Sequence, residues 1–289
     1  SSMTLLVKKF GGTSLGSIER IKAVAQRIKT SKDNGNDLVV VVSAMGHTTD
    51  QLTKLASEIS IHPHHREMDM LLSTGEQVSI SLLSMALKEL GIPAISLTGT
   101  QAGIITESAH GRARIIEIRT ERINNLLDQG QTLVIAGFQG TSLGIGGIAE
   151  ITTLGRGGSD TSAVALAASL QAEKCEIYTD VPGVLTTDPR IVKNAKLMKS
   201  ISCDEMLELA SLGAAVLHPR AVEIARNFGV TLVVKSSWDN LDGTTLTSNK
   251  KPDISQGGIE HRSPVDGLEL LENQAVVALS NIPDRPGIA

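Results

Sequence analysis

At 289 residues with 41% hydrophobic content, the chain is long enough for one large α/β domain or two smaller ones around a sizeable core. Lys and Arg number 27 against 31 Asp and Glu, a formal net charge of −4, and aromatic residues make up 2%. This composition excludes a basic footprint for nucleic acid or an anionic membrane surface and offers no stacking platform for bases. Cys175 and Cys203 are too few for a disulfide framework, and no Asn-x-Ser/Thr acceptor occurs, so a reducing, cytoplasmic setting is expected. No apolar run approaches membrane-spanning length, the N-terminus has no basic-then-apolar signal pattern, and Ser1-Ser2 before Met3 reads as a cloning remnant.

Leu5 to Phe10 predicts a first strand, and Gly11-Gly12-Thr13-Ser14 leads from it into an amphipathic helix over about Ser17 to Ser31. Asp37 to Ser43, with four consecutive valines, has the near-continuous apolar character of a strand buried in a parallel sheet. Helical periodicity covers Asp50 to Ile59, Arg66 to Leu90 and Arg114 to Asp128, with strands expected at Ala94 to Leu97 and Gln131 to Phe138. Gly140 to Gly147 predicts a hairpin connection ahead of a strand from Ile148 to Thr153, and an Ala-rich helix follows over Ser159 to Leu170. Met68, Met70 and Met85 are expected to fill core space. Further on come a strand over Glu173 to Thr179, a helix opened by the capping-box pattern at Ser202 to Glu205, a helix over Pro219 to Asn227, and a strand over Val230 to Lys235. Strands and helices alternating in this way predict a mainly parallel sheet covered on both faces. Asn240 to Gly258 is rich in Gly, Lys, Ser and Asp and reads as a linker. Strands at Gly267 to Leu271 and Gln274 to Leu279 and a turn at Pro283 to Gly287 then begin a second domain that the chain does not complete.

Two glycine loops carry the chemistry. Thr153-Leu154-Gly155-Arg156-Gly157-Gly158-Ser159-Asp160 runs from a strand into a helix. There bare backbone N–H groups approach an anion, Ser159 or Asp160 caps the first turn, and Arg156 offers a planar fork to a carboxylate or phosphate. At the end of the first strand, Lys9 and the following glycines place an ammonium and several N–H donors on a phosphate chain. The latter is not a Walker loop, since no Gly-Lys-Ser/Thr occurs, and Gly144 to Ala149 is not a dinucleotide fingerprint, since a strand follows it. Two anion loops at different strand ends suit phosphoryl transfer, in which mutually repelling reactants are neutralised and held in line.

Taken in order, the Lys9 to Ser14, Val42 to Gly46, Ser73 to Glu76, Leu154 to Asp160, Thr179 to Val184, Thr187 to Arg190 and Glu205 to Glu223 segments resemble the aspartate kinases of the amino acid kinase superfamily. The tail from Val276 is similar to the opening of an ACT regulatory domain. The resemblance implies a three-layer αβα sandwich, with a catalytic domain over 3–245, a linker over 246–258 and an incomplete ACT-like segment over 259–289. It also implies transfer of the γ-phosphoryl of ATP, with Mg²⁺, to the side-chain carboxylate of L-aspartate. Lys9 then steadies the phosphoryl group, with Phe10, Gly11 and Gly12 on the nucleotide side. Arg156, with Gly157, Gly158 and Ser159, holds the substrate α-carboxylate, and Glu76 accepts its α-ammonium. Ser43 and Thr48 or Thr49 contact the reacting carboxylate region, and Asp160 orients the cations. Thr179, Asp180, Leu185, Asp188 and Arg190 match the nucleotide loop. Relatives that carry a lysine after the pair matching Ser236-Ser237 differ from this chain, which has Trp238 there, so Lys235 is the candidate for the second cation beside Ser236. A homo-oligomer is expected, and a regulatory lysine or threonine only in a full-length form. Another amino acid kinase, acting on glutamate or acetylglutamate, and a non-catalytic amino-acid sensor are the alternatives.

Overall fold

The structure is a computed structural model and describes residues 3–186, 196–213, 216–249 and 258–260. The chain runs through β1 (Thr4–Phe10), α1 (Ile18–Asp33) and β2 (Asn36–Val42), then α2 (Thr48–Ile59), α3 (His65–Leu72), α4 (Thr74–Glu89) and β3 (Ala94–Leu97). Next come β4 (Ile104–Thr106), β5 (Ile115–Ile118), α5 (Glu121–Asp128), β6 (Thr132–Ala136), β7 (Gln139–Leu143) and β8 (Ala149–Thr153). The rest comprises α6 (Gly158–Leu170), β9 (Lys174–Thr179), β10 (Leu185–Thr186), β11 (Lys196–Leu197), β12 (Ser200–Ser202), α7 (Cys203–Ser211), α8 (Pro219–Phe228), β13 (Leu232–Ser236) and β14 (Thr244–Thr247).

Eight strands form the central sheet in the order β12-β14-β13-β9-β1-β2-β6-β3, parallel throughout except where β14 returns antiparallel to β13. β1 lies between β2 and β9, the place where strand order reverses and where ligands of open α/β sheets bind beyond the carboxyl ends. Register fixes which face each side chain takes. Lys9 stands beside Val41 and Ile177, and Lys8 beside Val40 and Glu176. Neighbours in register point the same way, so the two lysines leave on opposite faces.

Two cores follow from this alternation. Val7, Val41 and Ile177 pack with Ala163 and Leu166 of α6 and Val222 of α8. Leu6, Phe10 and Val40 pack with Ile21 and Ile28 of α1 and Ile80 and Leu83 of α4. Each fully buried aliphatic side chain contributes about 1.5–3 kcal/mol. The buried face of α6 includes Ala163, Ala165 and Ala167, and these small side chains let its axis lie close over the sheet, bringing its first turn to the end of β1.

The structure differs from the sequence expectations in five places. Arg114 to Asp128 is not one helix: Ile115, Ile116 and Ile118, β-branched, form β5 against β4, and the helix starts at Glu121. Gly140 to Leu143 belongs to β7, which pairs antiparallel with β8, so only the tip of the segment read as a connection is a turn. Within the expected linker, Thr244–Thr247 is a strand, with Thr244 fully buried and its Oγ1 accepting from Val184 N at 2.9 Å. The sheet therefore extends past residue 245. Met70 and Met85 are exposed rather than core residues. Finally, the helical run His65–Glu89 is long and apolar enough by length and composition to cross a membrane. Ile80, Leu83 and Leu87 nevertheless pack it against the sheet. The expected strands after Gly267 and the turn at Pro283 to Gly287 lie outside the described residues.

Candidate active site

Lys9, the penultimate residue of β1, projects from the α6 face, where its Nζ lies 2.9 Å from Asp160 Oδ1 in the first turn of α6. The contact is an ion pair by distance, without the alignment of a hydrogen bond at Oδ1. The glycines after β1 fold against the loop that follows β2: Gly46 N donates to Gly12 O at 2.9 Å, and Ser43 N to Phe10 O at 3.2 Å. A Cβ on Gly12 would stand 3.0 Å from Gly46 O and 3.1 Å from Ala44 O, a crowding that the bare backbone avoids.

On the opposite wall, β8 delivers Leu154 to the Gly155–Gly157 loop. Gly157 is the N-cap of α6 at φ 66°, the left-handed region, and a Cβ there would meet His218 at 2.4 Å. Because the cap is a glycine, α6 has no side-chain cap; Ser159 and Asp160 lie inside the helix and do not cap it, contrary to the sequence reading. A helix start of this kind presents its partial positive charge to an anion.

Between these walls lies a cavity of about 260 Å³ lined by Lys9, Gly12, Ser43, Thr49, Glu76, Arg156 to Asp160 and Phe138. Glu76, in the first turn of α4, is 1% exposed, and neither carboxylate oxygen has a hydrogen-bond partner. Burial pushes its carboxyl up to about 8; its own backbone and the Gln139 amide oppose the shift. That amide donates one N–H to Ser73 O at 2.9 Å and accepts from Gly99 N at 3.2 Å, and it stands near Glu76 without forming a hydrogen bond to either carboxylate oxygen. A buried, unmatched carboxylate is costly unless a cation completes it.

The site expectations fare unequally. Lys9, Gly12, Ser43, Thr49, Glu76, Arg156, Gly157, Gly158, Ser159 and Asp160 meet in one cavity; Thr49 lines it and Thr48 does not. The Phe10 ring turns into the other core, stacked on Tyr178 at 4.6 Å, so only its backbone faces the glycine loop. Thr179 ends β9 and Asp180 follows it, where Thr179 Oγ1 bridges the turn to Val181, and Ser236 ends β13 with its Oγ accepting from Trp238 N. Leu185 is exposed in β10. Asp188 and Arg190 lie outside the described residues. Lys235 is not brought to Lys9: paired in register with Tyr178, it points to the α1 face and contacts Glu176 at 3.3 Å. Strand parity, which the sequence does not reveal for this position, decides this.

A larger cavity of about 690 Å³ opens on that α1 face. Its charges are already engaged: Lys8 and Lys235 hold Glu176, Arg27 donates to Ser237 and Asp239 carbonyls, and the Arg20 guanidinium lies 3.8 Å over the Trp238 ring. It is a joint between α1 and the sheet, separated from Lys9 by the sheet itself.

Sequence reading missed two contributors. Phe138 lines the cavity at φ 72°, a left-handed backbone held by Ser162 Oγ on its N–H and by Leu154 N on its carbonyl. Asp69 is fully buried in α3 and accepts from Thr153 N at 3.0 Å, Thr153 Oγ1 at 2.6 Å and Gly111 N at 3.1 Å, with His110 Nδ1 at 2.7 Å. It anchors the strand that delivers the Arg156 loop. In sequence it is one more acidic residue on an amphipathic helix, and no signal distinguishes it.

Residues 4–236 match the family model described as the amino acid kinase family. An aspartokinase of Bacillus sp. (strain MGA3) is 65% identical over 244 residues, covering 84% of this chain and 58% of the relative. The chain thus spans less than three fifths of that relative's length. The Thermus thermophilus aspartokinase is 50% identical over 287 residues, 99% of this chain and 68% of the relative. The solved structure of E. coli aspartokinase III in complex with aspartate and ADP superposes with a TM-score of 0.73 at 26% identity, over 96% of this chain and 75% of that one. The chain belongs to the amino acid kinase family, within its aspartokinase group.

Proposed function

We propose that this chain transfers the γ-phosphoryl group of ATP to the side-chain carboxylate of L-aspartate, giving 4-phospho-L-aspartate and ADP. The observation that carries this reading is Glu76: a buried carboxylate without a partner, in the same small cavity as Lys9 and the Arg156 loop. A free amino acid supplies the cation that Glu76 lacks. Its α-ammonium completes Glu76, its α-carboxylate meets Arg156 and the start of α6, and its side-chain carboxylate turns toward Ser43, Thr49 and Lys9. An N-acetylated acceptor would bring no cation to Glu76, which argues against acetylglutamate.

In the reaction a side-chain carboxylate oxygen attacks the γ-phosphorus while the bond to the β–γ bridging oxygen breaks, and the electron pair leaves with ADP. Lys9 and the N–H groups of Gly11 and Gly12 counter charge on the transferring group, and Asp160 holds the Lys9 ammonium in place. Mg²⁺ bound with the nucleotide would neutralise phosphate charge, and Asp160 is the cavity carboxylate that the resemblance assigns to orienting it. Thr179, Asp180, Leu185, Ser236, Asp188 and Arg190 are assigned to the nucleotide side by the resemblance.

The wider reading is an oligomeric, cytoplasmic enzyme that opens lysine, threonine and methionine synthesis. In it the catalytic unit over 3–245, carried on to Thr247 by β14, precedes an ACT-like segment through which lysine or threonine acts. Buried free Cys175 and Cys203 accord with a reducing compartment. Incubation with MgATP, L-aspartate and hydroxylamine is expected to yield the aspartyl hydroxamate, with glutamate and acetylglutamate turned over far more slowly. A folded sample that binds aspartate in calorimetry but releases no ADP would replace this reading with that of an amino-acid sensor.

A further inference from the structure

Arg220, in the first turn of α8, spends its whole guanidinium on the frame of the Arg156 loop. Nε and Nη2 clasp the Glu260 carboxylate, with Nη2 to Oε2 at 2.8 Å, while Nη1 donates to Leu154 O and Nη2 also to Ala113 O. Leu154 is the residue directly before Gly155-Arg156-Gly157, and Ala113 N returns a bond to Thr153 O at 3.0 Å. The carboxylate is itself fixed, because Glu260 N donates to Ile115 O at 3.0 Å and Glu260 Oε2 accepts from Ile115 N at 2.7 Å. The two side chains are 18% and 6% exposed. His218, immediately before α8, closes on Gly157 from the other end of the loop.

We infer that Arg220, oriented by Glu260, is a positioning residue for the acceptor amino acid, acting through the Leu154 carbonyl on the loop that carries Arg156. The inference rests on the reading of Arg156 as the α-carboxylate ligand. A planar guanidinium held by a carboxylate on one edge and carbonyls on the other has no freedom to rotate, so the carbonyl it grips is fixed as well. Remove the carboxylate and the part-buried cation loses its counter-charge and its orientation together. None of these hydrogen bonds reaches Lys9 or the Gly11–Gly12 backbone, so their loss is felt by the acceptor and not by the nucleotide. Residues 258–260 thereby become a control point: a shift of that segment alters acceptor affinity from outside the cavity.

The test uses the full chain with Glu260→Gln, which keeps shape and removes charge, and with Arg220→Lys, which keeps charge and removes the fork. The expected result for each is a KM for aspartate raised about tenfold or more, a KM for ATP within about twofold, and a double variant no worse than the more impaired single one. An unchanged KM for aspartate overturns the proposal, and so do both KM values rising together with a large fall in Tm. Hydrogen exchange is a readout that needs no turnover: amides of Gly155 to Gly158 should exchange faster in Glu260→Gln, and those of Gly11 and Gly12 at the parental rate. Should the parent chain phosphorylate no acceptor, the proposed function falls. Exchange at Gly155 to Gly158 then still decides this inference, which unaltered rates in Glu260→Gln would overturn.

Discussion

Lys9 Nζ lies 2.9 Å from Asp160 Oδ1, so the end of the central strand and the first turn of α6 are joined across the floor of the cavity. Both side chains are largely buried, at 12% and 15% exposure, so removing one of them leaves the charge of the other poorly compensated. Lys9→Met is expected to lower kcat by roughly 10²–10³, the typical loss for one preorganised donor, and to lower Tm as well, because it strands the Asp160 carboxylate. Steady-state kinetics beside a thermal melt checks this, and a variant that kept parental kcat would remove Lys9 from the mechanism.

Glu76 makes a pH dependence. Folded, it holds its proton up to about pH 8, whereas the unfolded chain releases it near 4.5. Between those values the folded state binds more protons, so its stabilising contribution is complete below 4.5 and is lost as pH rises toward 8, at up to about 1.4 kcal/mol per pH unit. The ligand-free protein should therefore lose Tm across pH 5–8, and Glu76→Gln should lose less. Docking of an α-ammonium reverses the preference and expels the proton. Calorimetry in buffers of different ionisation enthalpy at pH 7 is expected to show proton release on aspartate binding, absent in Glu76→Gln, whose affinity for aspartate falls.

Gly157→Ala should fail in two ways at once, since φ 66° strains any side chain and the new methyl would stand 2.4 Å from His218. The cost is about 1–3 kcal/mol of strain with the Arg156 loop displaced. A fall in Tm with at least a tenfold loss in kcat/KM for aspartate is the expected outcome.

Asp69→Asn replaces an acceptor of several donors with a group that accepts at one atom only. A loss of at least about 2 kcal/mol is expected in denaturant unfolding, because hydrogen bonds to a buried charge are strong and the orphaned Thr153 or Gly111 donor is left without water. Activity should fall with it, since Thr153 leads into the Arg156 loop; a variant as stable as the parent would show that the anchor is dispensable.

Much of the fold was legible because it is local. Apolar runs such as Leu38 to Val42 mark buried parallel strands, and the glycine loops mark their ends. Ile115 to Ile118 misled for the same reason: three isoleucines in four residues suit a helix or a strand, and only the partner β4 chose between them.

The sequence by itself determined the alternation of strand and helix, the two glycine loops with Lys9 and Arg156, and the family to which those motifs point. The tertiary structure decided what depends on long-range pairing. Packing buried Glu76 and left its oxygens without a hydrogen-bond partner, the pleat sent Lys9 into the cavity and Lys235 to the far face, and a contact between residues 40 apart set Arg220 on Glu260. Which face a side chain takes, and what meets it there, is a property of neighbouring strands and helices, and no single stretch of chain contains it.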